Sequence, residues 1–195
     1  MAMYLSRTRN DVQGFKIKVK LRIENLPEKK TIKVLDAFAG DGLIWKEIIK
    51  QCPDKVFEIV SIDNKKGLNN DNIVSNNVYY ILRNDISNFD VIDLDCYGSP
   101  FEQLRAIFYN KKVNAIVFFT LIRSGLGSTK KDMLSELYGI EIANRISRVF
   151  SKNPIEPFCD YIRKHGITKI NYTSVQKTGA NKFYGYFNIS NIWTT

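Results

Sequence analysis

The chain has only three cysteines in 195 residues. Cys52, Cys96 and Cys159 are odd in number and widely spaced, which excludes a disulfide framework and gives no zinc-ligand spacing. No stretch approaches the roughly 18 uncharged apolar residues that a membrane-spanning helix needs. The opening Met1-Ala-Met-Tyr-Leu-Ser-Arg lacks the apolar core of a secretory signal. Internal repeats, low-complexity linkers and Walker-A spacing are missing too. These absences point to a cytoplasmic protein of a reducing compartment, with no metal and no membrane segment. Histidine occurs once, as His165 before Gly166 at a predicted helix end. There the macrodipole and a glycine cap favour a structural role.

What is present is an ordinary globular composition, 44% hydrophobic and 25% charged, enough for one well-packed domain. Twenty-nine basic against twenty acidic residues leave a net charge of +9 and a pI near 9.4. A surface of that sign attracts phosphate backbones at long range, so nucleic acid is the expected partner.

Residues 1–30 read as a basic N-terminal extension. Phe15-Lys-Ile-Lys-Val-Lys-Leu-Arg-Ile alternates with period two, predicting an extra strand or an arm. Residues 31–195 form the main domain, in which apolar strands alternate with helices. Strands are predicted at Lys33–Ala37, Phe57–Ile62, Val78–Leu82, Val91–Leu94, Ala115–Thr120, Lys169–Gln176 and Phe183–Ile189. Helices are predicted at Leu43–Lys50, Gly67–Asn76, Pro100–Asn110, Lys130–Phe150 and Ile155–His165. Five crossover strands followed by a hairpin predict a Rossmann-like α/β fold. Its seven-stranded sheet would be mainly parallel, with a C-terminal antiparallel hairpin. The aromatic residues of that hairpin, Phe183, Tyr184, Tyr186 and Phe187, are expected in the core first.

Val34-Leu-Asp-Ala-Phe-Ala-Gly-Asp-Gly-Leu-Ile-Trp is the most informative segment. A strand ends in a loop with Gly40 and Gly42, and a helix starts at once, the geometry that lets a backbone approach a ligand closely. The third glycine of a dinucleotide fingerprint would fall at Trp45, which is too bulky. Asp36 would oppose a pyrophosphate but suits the cationic amino group of a methionine moiety. Asp63, at the second strand end, is placed to accept ribose hydroxyls. Asp85 is read as following the third strand, with its carboxylate toward an adenine amine and Ile86 packed on the ring. Three acidic strand tips in order predict an S-adenosyl-L-methionine site formed by Asp36, Phe38, Ala39, Gly40, Gly42, Asp63, Asn64, Asp85, Ile86 and Asp95.

The fourth strand ends in Asp93-Leu-Asp-Cys-Tyr-Gly-Ser-Pro. Asp95 can accept an N–H bond from an exocyclic amine, Tyr97 can stack on a flat base, and turn carbonyls can take the second amine proton. Holding nitrogen, methyl carbon and sulfur in line supplies most of the acceleration. The run resembles the Asp-Leu-Asp-Pro-Phe-Gly-Ser-Pro motif of the tRNA guanine-N2 dimethyltransferase family, over about Lys33–Thr120. That resemblance implies a class I methyltransferase fold, S-adenosylmethionine as cofactor, Asp95 as catalytic carboxylate and Tyr97 as base-stacking ring. Cys96 stands where the family has proline. The family's Asn-Arg-Asp element is echoed by Arg9-Asn10-Asp11, and its C-terminal tRNA-binding domain has no counterpart in this sequence. Beside Asp95, Cys96 reads as a space-filler rather than a nucleophile.

The leading expectation is therefore methyl transfer to an exocyclic amine of a nucleic-acid base, with guanine-N2 in tRNA or other RNA ahead of DNA. Two alternatives stay open. One is a DNA amine methyltransferase. The other is a catalytically silent cofactor-binding module whose protein partner supplies substrate recognition. Arg123-Ser-Gly-Leu-Gly-Ser-Thr-Lys reads as a phosphate-approaching or simply mobile loop.

Overall fold

The computed structural model describes residues 12–65, 72–110, 112–124, 131–146, 153–177 and 180–190. Helix α1 (Val12–Ile23) leads into β1 (Thr31–Asp36), α2 (Leu43–Gln51), β2 (Val56–Asp63) and β3 (Ile73–Val74). There follow α3 (Asn77–Arg83), β4 (Val91–Leu94), α4 (Phe101–Tyr109) and β5 (Ala115–Ser124). Helices α5 (Lys131–Tyr138), α6 (Ile140–Ile146) and α7 (Ile155–Lys164) precede the hairpin β6 (Ile170–Lys177) and β7 (Ala180–Ile189). The strands form one seven-stranded sheet in the order β3-β2-β1-β4-β5-β7-β6. β1 to β5 pair in parallel, and β7 runs antiparallel to both β5 and β6. The predicted sheet and its terminal hairpin are present.

Two apolar layers cover the sheet, and strand alternation assigns residues to each. Ile32, Val34, Val91 and Phe118 face α1 and α2, packing with Val19, Ile44, Trp45 and Ile48. Leu35, Ile92, Leu94, Val117 and Phe119 face the other way, toward Phe101, Leu104 and Ile107 of α4 and Phe158, Tyr161 and Ile162 of α7. The same alternation carries Asp36, Asp93 and Thr120 onto the α1–α2 face. Asp36 is in register with Asp93. This is how three polar side chains come to be buried together beside an apolar layer.

Four predicted elements differ in the structure. The alternating segment at residues 15–23 is helical, not a strand. Its inward positions are Phe15, Lys18, Val19 and Arg22, a helical spacing in which two cations take core places because buried carboxylates receive them. Val78–Leu82 is helical as well. Asn76 caps α3, its side chain accepting from the N–H groups of Val78 at 3.0 Å and Tyr79 at 3.2 Å. That cap overrides the strand preference of Val-Tyr-Tyr-Ile. The third strand is Ile73–Val74, inside the range read as the helix Gly67–Asn76, whose residues 67–71 lie outside those described. Finally, Lys130–Phe150 is not one helix. Gly139 adopts φ 84° between α5 and α6, a left-handed conformation that ends a helix. Lys130 and residues 147–150 lie outside the described residues, as do most of the Arg123–Lys130 loop and Arg9-Asn10-Asp11.

Candidate active site

The carboxyl ends of β1 and β4 lie side by side at the sheet centre, where chain connections depart in opposite directions, the usual ligand crevice of open α/β sheets. Asp36 ends β1 with 5% of its surface exposed. Burial pushes its carboxyl well above the usual carboxylate range; Asp93 and Asp95 push the same way, and Arg22 and the Phe38 N–H only partly offset them. Asp93 is 1% exposed. It accepts from Arg22 Nε at 2.6 Å and Nη2 at 2.5 Å, and from the Trp45 indole N–H at 2.9 Å. The bulky Trp45 thus takes the place of a third glycine and acts as a donor in the carboxylate cluster.

Asp95 lies just beyond β4. Lys18 Nζ lies 2.8 Å from both of its carboxylate oxygens, and the Thr120 hydroxyl donates to Oδ1 at 2.5 Å. Three carboxyl groups therefore face two cations; burial favours the neutral form of Asp36, which leaves Arg22 on Asp93 and Lys18 on Asp95. A cationic group arriving at Asp36 would favour its ionised form.

The glycine loop is built as expected. Gly40 has φ 52° and Gly42 φ 68°, and Gly42 starts α2. The Gly40 N–H donates to Asp63 Oδ2 at 3.0 Å, and Asp63 Oδ1 accepts from the Lys65 N–H at 2.9 Å. A carboxylate has about four lone-pair directions, so Asp63 keeps acceptor capacity for further hydroxyl donors. Ala39 is buried, Phe38 packs partly against the core beneath, and Asn64 is exposed.

Asp85 and Ile86 are displaced from this site. Since Val78–Leu82 is a helix, they do not follow a strand. They lie in the connection from α3 down to the start of β4, at the amino edge of the sheet. Asp85 is exposed and accepts from the backbone and hydroxyl of Ser87, which lower its pKa. Ile86 is fully buried in the core and offers no face to a ring. The tip of the true third strand is Ser75–Asn77 instead. There Asn77 Nδ2 donates to the Ala37 carbonyl at 2.9 Å, and its own carbonyl accepts from Gln103 Nε2 at 2.8 Å. Asn72 Nδ2 donates to the Gly40 carbonyl at 2.8 Å.

In the substrate-side loop, Tyr97 is 76% exposed, an open aromatic face next to Asp95. Cys96 points the other way: it is buried, its thiol donating to the Thr120 carbonyl at 3.3 Å, so it fills space. His165 caps α7 and stacks on Phe108 with ring centroids 4.1 Å apart, far from a catalytic role. Sequence reasoning missed Lys18, Arg22, Thr120, Asn72, Asn77 and Gln103. The apparent strand pattern hid the first two, and no local signal marks the others.

No protein-family model and no curated protein matches the chain at the sequence level. Solved structures do match. TYW2 from M. jannaschii, in complex with AdoMet, aligns with a TM-score of 0.55 at 13% identity, covering 95% of this chain and 78% of that one. A putative class I S-adenosylmethionine-dependent methyltransferase from Listeria monocytogenes gives 0.53 at 12%, covering 93% and 60%. The fold is that of the class I methyltransferases. Trm1 from Pyrococcus horikoshii, solved with S-adenosyl-L-methionine, aligns with a TM-score of 0.50 at 15% identity, covering 91% of this chain and 55% of its own. The methyltransferase-like chain thus spans between 55% and 78% of the length of these three neighbours. Among its described residues no helix is long and apolar enough to cross a membrane.

Proposed function

We propose that the protein is an S-adenosylmethionine-dependent methyltransferase acting on an exocyclic amine of a nucleic-acid base, with tRNA guanine-N2 the leading target. The observation that carries this reading is the buried cluster of Asp36, Asp93 and Asp95 at adjoining strand tips, with Asp36 the carboxyl left without a cation of its own and the exposed ring of Tyr97 close by.

The residues present fit the cofactor. Asp36 would hold the amino group, whose positive charge favours the ionised carboxylate, and the Gly40–Gly42 loop lets the backbone approach it. Asp63, already fixed by two backbone N–H groups, would take the ribose hydroxyls, and Ser75–Asn77 stand at the strand tip foreseen for Asp85. When bound, the cofactor supplies an electrophilic methyl on a sulfonium. Asp95 accepts an N–H of the target amine and orients its lone pair, and Tyr97 stacks on the base. Positioning of this kind is worth several kcal/mol.

RNA is favoured over DNA by the resemblance of the Asp93–Pro100 run to the motif of the tRNA guanine-N2 dimethyltransferase family. The net positive charge of the sequence suits either polyanion. Buried cysteines that form no disulfide among the described residues fit a reducing, cytoplasmic setting. The test is tritium transfer from labelled S-adenosylmethionine to unmodified tRNA transcripts and to duplex DNA. Wild type is expected to label tRNA, and Asp95→Ala to lose transfer at least a hundredfold while keeping cofactor affinity. Labelling of duplex DNA alone would move the target to a DNA amine. Cofactor binding with no transfer to either, restored by a co-purifying subunit, would make this chain the silent half of a heterodimer.

A further inference from the structure

The Asp95 carboxylate does not wait for substrate unattended. Lys18 reaches it from α1, 77 residues away in sequence, with Nζ 2.8 Å from each oxygen. The Lys18 side chain is 8% exposed and that of Asp95 12%, so this is not a solvent-screened surface pair of negligible worth. Its position is set from several directions. The Lys18 carbonyl accepts from Arg22 Nη1 at 3.0 Å, and Arg22 is itself locked onto Asp93. The ammonium lies 5.6 Å from the centroid of the buried Tyr184 ring. From β5, Thr120 donates to Asp95 Oδ1, and its carbonyl takes the Cys96 thiol. Thr120 therefore holds both the carboxylate and the next residue of the substrate loop.

The acceptor count has a chemical consequence. An ionised carboxylate offers about two lone-pair directions per oxygen. Thr120 and Lys18 both lie on Oδ1, and Lys18 also lies on Oδ2. Among the described residues, the acceptor capacity left for another donor is on Oδ2. We propose that Lys18 and Thr120 are positioning residues that confine the incoming amine to a single N–H bond at Asp95 Oδ2, and that α1 thereby sets the approach direction of the acceptor nitrogen. This rests on the reading of Asp95 as the carboxylate that receives the substrate amine. Neither residue exchanges a proton or forms a bond with substrate. They act through the orientation of Asp95, so their loss shows in turnover rather than in cofactor capture.

The experiment compares Lys18→Met, Lys18→Arg, Thr120→Val and Asp95→Asn. Each is assayed with tritiated S-adenosylmethionine and unmodified tRNA transcripts, with calorimetric cofactor affinity and thermal unfolding measured on the same preparations. Misplacing a reacting group by about 1 Å costs on the order of a hundredfold in rate. Lys18→Met and Thr120→Val are therefore expected to lower kcat by about 10- to 100-fold, with tRNA KM and cofactor Kd within about threefold of wild type. Lys18→Arg, which keeps the charge and the donors, should recover at least part of that loss. If Lys18→Met turns over within twofold of wild type while Asp95→Asn is inactive, the positioning role is wrong and the reading of Asp95 stands. If Lys18→Met loses cofactor affinity and melting temperature together with activity, the pair is structural and the proposal also falls. If Asp95→Asn transfers methyl at the wild-type rate, the underlying assignment fails and takes the proposal with it.

Discussion

At the scale of single residues, the largest electrostatic cost in the site falls on Asp36. Its carboxyl is buried beside two others, which favours the neutral form. In the unfolded chain the group ionises near pH 3.9; in the folded protein it ionises well above that. A raised carboxyl contributes stability that is complete at pH below the unfolded value and is lost as pH rises through the folded one. Asp36→Asn removes that loss, since the amide never ionises and its carbonyl can still accept the Phe38 N–H. The variant is expected to melt above wild type at pH 7, with the gap closing toward pH 4, and to bind S-adenosylmethionine at least tenfold more weakly. A lower melting temperature at pH 7 would show that Arg22 outweighs the repulsion from Asp93 and Asp95. Asp63 works in the opposite sense. It is satisfied by two backbone donors, so Asp63→Ala should both loosen the Gly40 loop, by about 1–3 kcal/mol, and weaken cofactor binding. Calorimetry paired with melting curves separates the two effects.

Elements show where side chains far apart in sequence decide the packing. Gly185 lies in β7 between Phe119 of β5 and Tyr172 of β6. A Cβ there would meet the Asn171 carbonyl and the Phe119 ring at 2.5 Å, and the carbonyl belongs to backbone that cannot swing aside. Gly185→Ala should therefore cost about 1–3 kcal/mol, visible as a lower denaturant midpoint, with cofactor affinity unchanged because β7 lies beyond β5 from the glycine loop. The terminal hairpin, β4 and the glycine loop were legible in sequence because their signals are local: turn residues, an unbroken apolar run, and two glycines after a strand. Helix α1 was not. Its inward face contains Lys18 and Arg22, whose partners Asp95 and Asp93 are 77 and 71 residues away; without those partners the apolar residues of the segment alternate as in a strand. The α3 error had a local cause, a capping Asn76 ahead of β-branched and aromatic residues. It moved the third strand tip from Asp85 to Ser75–Asn77, so one misjudged element displaced two site residues. Asp36, Gly40, Asp63 and Asp95 kept their places because the strands carrying them were identified from apolar runs alone.

At the scale of the whole molecule, the net charge of the sequence and the charge of the site's carboxyl cluster differ in sign. The surplus is nine positive charges, yet among the described residues the charged groups that are buried or nearly so are three carboxyls, Asp36, Asp93 and Asp95, against two cations, Lys18 and Arg22. The net positive charge of the sequence draws a polyanion toward the molecule; the acidic cluster lies within the site, where a small cation would dock. These two populations respond differently to salt. Exposed charges are screened over roughly 8–10 Å at physiological ionic strength, and buried ones much less. Each phosphate neutralised on a nucleic acid releases counterions, so affinity falls steeply and log-linearly with salt. Raising salt from 50 to 200 mM should weaken tRNA binding by about tenfold or more while leaving cofactor affinity within about twofold. Filter binding of labelled transcript and calorimetry of S-adenosylmethionine, run in the same buffers, read both quantities. Salt-insensitive RNA binding would mean that the net positive charge plays no part in substrate capture. An equally steep fall for the cofactor would mean that its carboxylate cradle is open to solvent, contrary to the burial of Asp36 and Asp93.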